Sequence, residues 1–406
     1  MDRSIYVYLD SSDYSVLSNP RIQTASTIHI RDRLLDWAKS GEVKFLFSGV
    51  HLSEMAPVES AYATSATARA DLLTELCGRN ALISFDRLLV LELGGIGGDR
   101  PDLGIVRTVN ADWFPKIDDD IVPLVNWADA IKNIDDDVKH RGVNRHQRRA
   151  ANRRLFKKGH PTQEAVILLE AFSGSIEFEK FLELYPMHPS NAEILWKYTL
   201  GIVKTEDANL AFVESLRDPK WMMRWFEKHH DQLTPIIQWL RGSSQGLTVA
   251  IKALTEKATE IFEMEERLGV ESSRGVFSKN NWDQAQDHLA VSTASQMREK
   301  FIPGSHVEFT SDQFDASCPG FSCCLRSLHS SIRSAVGESA RTPKDSDIVD
   351  AIHAMYAPYV DIFRADSFMS TYIIENAAKH GTIVVSKLNS LVEVIERQLS
   401  VMRSTI

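Results

Sequence analysis

The sequence predicts an α/β protein whose parallel sheet is assembled from both ends of the chain, with a large helical insertion between them. Three observations carry that expectation. Short apolar runs alternate with helical periodicity near the two ends, helical periodicity alone fills most of residues 110–310, and 406 residues exceed what one ordinary domain holds. The expected organisation is therefore a first half over 1–95, a mostly helical insertion over 96–339 and a second half over 340–406.

Taken in order, Ile5 to Leu9 is apolar with aromatic and β-branched residues and ends at Asp10, which predicts a buried strand carrying an acid at its carboxyl end. Thr27 to Lys39 has helical spacing with Gly41 as a stop, and Val43 to Phe47 predicts a second strand. Ser48 is suited to cap a short helix containing His51, Leu52 and Glu54, which Pro57 limits. Ala61 to Leu76 predicts a helix, Ala81 to Leu93 a further strand, and the glycines from Gly94 to Gly98 a turn without the Lys-Ser/Thr ending of a phosphate loop. Helices are predicted over 164–184, 192–203, 208–216, 221–229, 247–268 and 282–300, with tryptophans such as Trp196, Trp221 and Trp282 as core. The α/β pattern then returns. A helix starts near Pro343 to Asp347 and stops at Pro358, and Tyr359 to Phe363 is a strand. Ser367 to His380 is a helix, Thr382 to Val385 a strand and Leu388 to Met402 a closing helix.

Composition narrows the class. Hydrophobic residues at 43% and charged residues at 25% exclude wholesale disorder. No run of about eighteen apolar residues and no signal-peptide pattern occur, so the expectation is a cytoplasmic protein without a membrane span. Cys77, Cys318, Cys323 and Cys324 are too few for a disulfide framework, and the last three with His329 lack the spacing of a structural zinc site, so reduced thiols are expected. A net charge of −9 gives no global attraction to nucleic acid, which leaves that role to a local patch.

Functional groups in an open parallel sheet collect beyond the carboxyl ends of the strands. Asp10 and Asp366 each follow a predicted strand, Glu54 lies in the helix after a strand, and Asp347 and Asp350 stand three apart on one helix. Carboxylates gathered in one pocket repel by about 1 to 4 kcal/mol per pair at about 4 Å. Magnesium or manganese would relieve that repulsion, polarise a phosphate and supply a hydroxide.

Tyr8-Leu9-Asp10-Ser11-Ser12, the Ser48 to Glu54 segment, the helix Asp347 to His353 and the stretch Tyr359 to Asp366 together resemble the four acidic stations of PIN-domain ribonucleases. The resemblance covers about residues 1–95 and 340–400, and some 240 residues separate its two halves. It implies a three-layer α/β/α PIN-like domain and a metal-dependent endoribonuclease, a hydrolase with a Mg or Mn cofactor. Asp10, Glu54, Asp347 and Asp366 would hold the metal, with Asp350 as an alternate or additional ligand. Asp13, Asp345 and Asp361 offer nearby carboxylates. RNA as substrate, with DNA as the other choice, rests on the resemblance, as does a toxin or defence role.

A separate signal lies at 139–160. Nine cations occur there with no acid among them: Lys139, Arg141, Arg145, Arg148, Arg149, Arg153, Arg154, Lys157 and Lys158. Arg145, Arg149, Arg153 and Lys157 recur every four residues, which on a helix makes a stripe suited to a phosphate backbone, unless the acidic runs 118–120 and 135–137 fold back on it. The alternative function is a catalytically inactive PIN-like scaffold that binds nucleic acid or protein through its helical insertion, as a homo-oligomer or with a protein partner.

Overall fold

The computed structural model describes residues 4–56, 63–115, 144–157, 160–164, 167, 187–199, 202–228, 235–273, 275, 278–304, 307–336 and 344–404. The chain divides into two compact units, Met1–Pro115 with His230–Ile406, and Lys116–His229.

The first unit opens with β1 (Ile5–Tyr8), α1 (Ser11–Ser18), α2 (Ala25–Ser40), β2 (Val43–Leu46), α3 (Gly49–Met55) and α4 (Ala63–Cys77). It continues through β3 (Ala81–Leu82), α5 (Phe85–Gly94), α6 (Leu103–Val106) and β4 (Arg107–Thr108). After 230 come α7 (Pro235–Leu268), α8 (Lys279–Phe301), α9 (Ser311–Ser317), α10 (Pro319–Val336), α11 (Asp345–Ala354), β5 (Ile362–Arg364), α12 (Ser370–Ala378), β6 (Ile383–Val385) and α13 (Leu391–Ser404).

The main sheet has four strands in the order β2-β1-β5-β6, all parallel. Tyr8 stands beside Leu46 on one side and Phe363 on the other, so the strand pairs from the two ends of the sequence join into one sheet at β1 and β5. Parallel neighbours need crossovers, and helices supply them: α1 and α2 between β1 and β2, and α12 between β5 and β6. The short runs form strands because both faces are covered. Val7, Tyr8, Phe45, Leu46, Ile362 and Phe363 are all buried. A bridge from Phe47 to Ala81 carries the chain into the small antiparallel pair β3 and β4.

Two expectations change. Residues 81–93 are a strand for only Ala81–Leu82; Phe85–Gly94 is helix. An apolar run of this length fits either period, and Leu88, Leu89, Glu92 and Leu93 at helical spacing give α5 one fully buried face. The insertion is also shorter than 96–339. Residues 96–115 and 230–336 belong with the sheet, because Ile96, Val106, Ala290, Phe314, Phe321 and Leu325 share one core with Tyr8, Leu46 and Phe363. That same core holds Cys318, Cys323 and Cys324, and burial raises these thiols far above their usual range.

In the second unit, Arg145–Leu155, Pro189–Thr199, Thr205–Leu216 and Pro219–Lys228 are helices. Met187, Ala192, Leu195, Ala208, Phe212 and Met222 are buried there. The expected helix 164–184 lies outside the described residues apart from Glu164 and Ile167.

A candidate carboxylate site beyond the parallel strands

Asp10 stands two residues past β1 and caps α1, its Oδ1 accepting from the Ser12 amide at 2.7 Å. Asp366 stands two residues past β5, its Oδ1 accepting from the Met369 amide at 2.6 Å. Asp10 also takes part in a capping box with Asp13. Glu54 comes from α3, whose start is set by Ser48 and His51 in a capping box.

From the other end of the chain, α11 delivers Asp350 and, one turn on, His353. His353 Nε2 meets Glu54 Oε2 at 2.8 Å and His353 Nδ1 meets the Tyr8 hydroxyl at 2.6 Å. The Tyr8 hydroxyl in turn lies 2.7 Å from Ser48 Oγ. Burial opposes charge on His353, but the hydrogen bond and charge of Glu54, followed by Asp10 and Asp350, raise its pKa above the usual value. As an imidazolium it donates to Glu54 and to Tyr8, and Tyr8 then donates to Ser48. Burial likewise pushes Glu54 up, yet the hydrogen bond and charge of His353 hold it below its usual range. Its side chain keeps 29% of its surface, so it stands at the rim rather than inside.

His51 is a different kind of histidine. Its Nδ1 accepts from the Ser48 amide at 3.1 Å, so Nε2 carries the proton and donates to the Leu9 carbonyl at 2.9 Å. Fully buried and beside His353, at a ring distance of 5.0 Å, it is pushed down to about 3 and stays neutral. Its work is to tie the start of α3 to the end of β1.

Asp350 carries the clearest electrostatic signature. Burial raises its carboxyl to about 8, and Glu54, Asp10 and Asp366 push in the same direction against the pull of His353. Four acids from four elements thus act on one another at the carboxyl edge of the sheet. Arg69 from α4 is a nearby cation: it bonds the Met55 and Ser65 carbonyls at 3.3 and 3.2 Å, and its charge reaches Glu54.

Asp347, the third station expected from the sequence, is placed otherwise. Its Oδ2 accepts from the Lys344 amide at 2.9 Å in a capping box, and the residue is buried. A carboxylate at the third position of a helix is captured by the free amide ahead of it. Asp350 stands past the first turn, and the charges of Glu54, Asp10 and Asp366 act on it.

Asp13 is the alternate that the structure removes from the pocket. It forms an ion pair with Arg364 at 3.1 Å and accepts from the Asp10 amide, and burial raises it to about 7. Asp361 sits before β5, at the opposite end of the sheet, accepting from the Tyr6 amide at 2.8 Å.

The donors are all oxygens, the type a hard cation prefers. Among the described residues, no group of three or more His, Cys, Asp or Glu side chains is arranged to hold one ion. Sequence reasoning missed Tyr8, Ser48 and His51 as a supporting network; the only signal for it was the serine-to-histidine spacing of the α3 cap.

Of the basic segment, Arg145–Leu155 is helix, and Arg145, Arg153 and Arg154 are exposed on it. Arg154 pairs with Glu164. The helix stops before Lys157, which pairs with His160 in a two-residue hairpin, so the four-residue spacing does not extend to Lys157 as a continuous stripe. The side chains of Arg148 and Arg149, together with Lys139, Arg141, Lys158 and the acidic runs, lie outside the described residues.

Among the described helices none is long and apolar enough to cross a membrane. Comparison with protein-family models, with curated proteins and with solved structures returned no match.

Proposed function

We propose that the chain is a metal-dependent nuclease with a PIN-like catalytic domain, cutting RNA at the pocket formed by Asp10, Glu54, Asp350 and Asp366. The observation that carries this reading is the placement of acids from four elements, Asp10, Glu54, Asp350 and Asp366, with the charges of the other three acting on Asp350, an arrangement that a cation would relieve. A bound Mg²⁺ or Mn²⁺ would polarise the scissile phosphate and lower the pKa of its water. The protein's own contribution is positional. The imidazolium of His353, backed by Tyr8 and Ser48, fixes Glu54 Oε2, while the turns at Ser12 and Met369 fix one oxygen of Asp10 and of Asp366. Asp350, whose carboxyl burial pushes up to about 8, would release its proton on binding a cation. The exposed Arg145 and Arg153 would hold the RNA backbone.

The test is Mn²⁺-dependent cleavage of labelled RNA by the parent, Asp350→Asn and Asp347→Asn. Loss of at least a hundredfold in the first with little change in the second supports the reading. Equal cleavage by parent and Asp350→Asn overturns it. The absence among the described residues of a preformed three-ligand group favours a second reading, an inactive scaffold of the same shape, which predicts no metal-dependent cleavage by the parent.

A further inference from the structure

At the end of the sheet away from the carboxylates, a groove of about 520 Å³ opens beside Tyr6, lined by Arg87, Arg107, Thr108, Asn110 and Asp112 with Ile105 and Val109. That volume is in the range of small-ligand sites. Its two guanidinium groups are fixed in place. Arg107 lies 3.9 Å from the centre of the Tyr6 ring and donates from Nε to the Tyr359 carbonyl at 2.7 Å. Arg87 donates from Nη1 to the Asp112 carbonyl at 3.2 Å. Arg87 Nη1 also reaches the Phe114 carbonyl at 3.5 Å, and these bonds use one nitrogen of each guanidinium. Lys44 approaches the same Tyr6 ring, and the charge of Arg100 reaches Arg107. The opposing acids are Asp112 in the lining and Asp361, which is engaged with the Tyr6 amide.

The wall of this groove is held under strain. Ala111 has a φ of 57°, the one positive value for a non-glycine residue among those described, and its amide is pinned to the Arg79 carbonyl at 2.8 Å. An alanine rarely adopts this conformation, and the strain shapes the loop that places Asn110 and Asp112 in the lining. Ile105 and Val109 flank the opening at 56% and 67% exposure.

We propose that this groove is a nucleotide-binding subsite: a base stacks on the Arg107–Tyr6 platform, the phosphate meets Arg87, and Asn110 and Thr108 read polar edges. A planar guanidinium backed by an aromatic ring is a stacking surface for a base, and a held arginine is a phosphate donor. The nucleotide is either free or part of an RNA strand, and the two share this chemistry. The inference stands apart from the carboxylate pocket and does not need cleavage to be true.

The probes are adenosine 5′-monophosphate and a single-stranded RNA pentamer, titrated by calorimetry against the full chain without metal, so that loss of the nuclease reading leaves this result unaffected. Saturable binding of either probe is expected, falling at least tenfold in Arg87→Gln and in Val109→Trp. The second variant fills the groove from an exposed position and leaves the fold's core untouched, so it keeps the test valid if Arg87→Gln melts low. The tighter probe identifies the source of the nucleotide. No saturable binding of either probe, or binding unchanged in Val109→Trp, overturns the proposal.

Discussion

Two acid sites in the sheet-bearing unit have opposite characters. Glu92, at 0% exposure in α5, is surrounded by donors: the Gly320 and Phe321 amides at 2.7 Å each and the Tyr359 hydroxyl. It caps the first turn of α10 from another helix, and a Cβ at Gly320 would collide with the Met355 carbonyl and Glu92, so glycine is what lets the carboxylate approach. At the carboxyl edge, by contrast, Asp10, Glu54, Asp350 and Asp366 share few donors and act on one another. Burial raises an acid in both places, to about 7 at Glu92 and about 8 at Asp350. A shifted pKa therefore does not separate structure from function; the inventory of donors around each oxygen does.

The strongest way to break this contrast is to exchange the expected phenotypes. Glu92→Ala should destabilise the protein by about 3 kcal/mol, because two amides are left buried without an acceptor, and should spare the cleavage rate per folded molecule. Asp350→Asn should do the reverse, abolishing cleavage while the melting temperature without metal holds or rises. Chemical denaturation and single-turnover cleavage on both variants decide the matter, and matching losses in both assays would erase the distinction.

A pH series sharpens it. The folded pKa of Glu92 is raised from 4.5 to about 7, so between those values the folded state keeps a proton that the unfolded state has released. Stability should fall as pH rises through that window, by up to about 3 kcal/mol, and level off on either side. Asp13 and Asp350 act in the same sense up to about 7 and 8, whereas His51, lowered to about 3, loses stability as pH falls below 6.5. The readout is therefore the difference between parent and Glu92→Gln, whose curves should diverge from pH 4.5 to 7 and run parallel outside it.

The smallest expected effect belongs to Asp347→Asn, a loss of about 1 kcal/mol from a weakened capping box with cleavage unchanged. In the second unit, Arg145→Gln with Arg153→Gln should flatten the salt dependence of RNA binding by about 0.7 to 0.9 in logarithmic slope per lost contact. An unchanged slope would mean that these cations face solvent.

The sheet was legible because its strands are short, apolar and β-branched, and because a parallel layer needs more strands than either end of the sequence holds. The positions of Asp10 and Asp366 two residues past their strands, and of Glu54 in the helix after a strand, were legible because each follows a short apolar run. The choice between Asp347 and Asp350 was not, since it turns on which backbone amide is free at a helix start. Nor were the contacts of Glu92 with Gly320 and Phe321, or of Tyr8 with His353, because partners more than two hundred residues apart leave no local pattern. The reading of 81–93 as a strand failed for a local reason: Asp86, Arg87 and Glu92 interrupt the apolar run, and the buried Leu88, Leu89, Glu92 and Leu93 follow helical spacing.

The interleaving of β1 between β2 and β5 also sets a clock on folding. Tyr8 cannot gain its neighbour Phe363 until more than three hundred and fifty further residues have been made. At about 5 to 20 residues per second, synthesis leaves the edge of β1 open for roughly twenty seconds to over a minute. During that time the nascent sheet has an unpaired edge and Glu54 of α3 lacks the histidine of α11. An incomplete chain therefore holds neither a closed sheet nor an assembled pocket, and whatever chemistry the pocket performs is withheld until the last strands arrive.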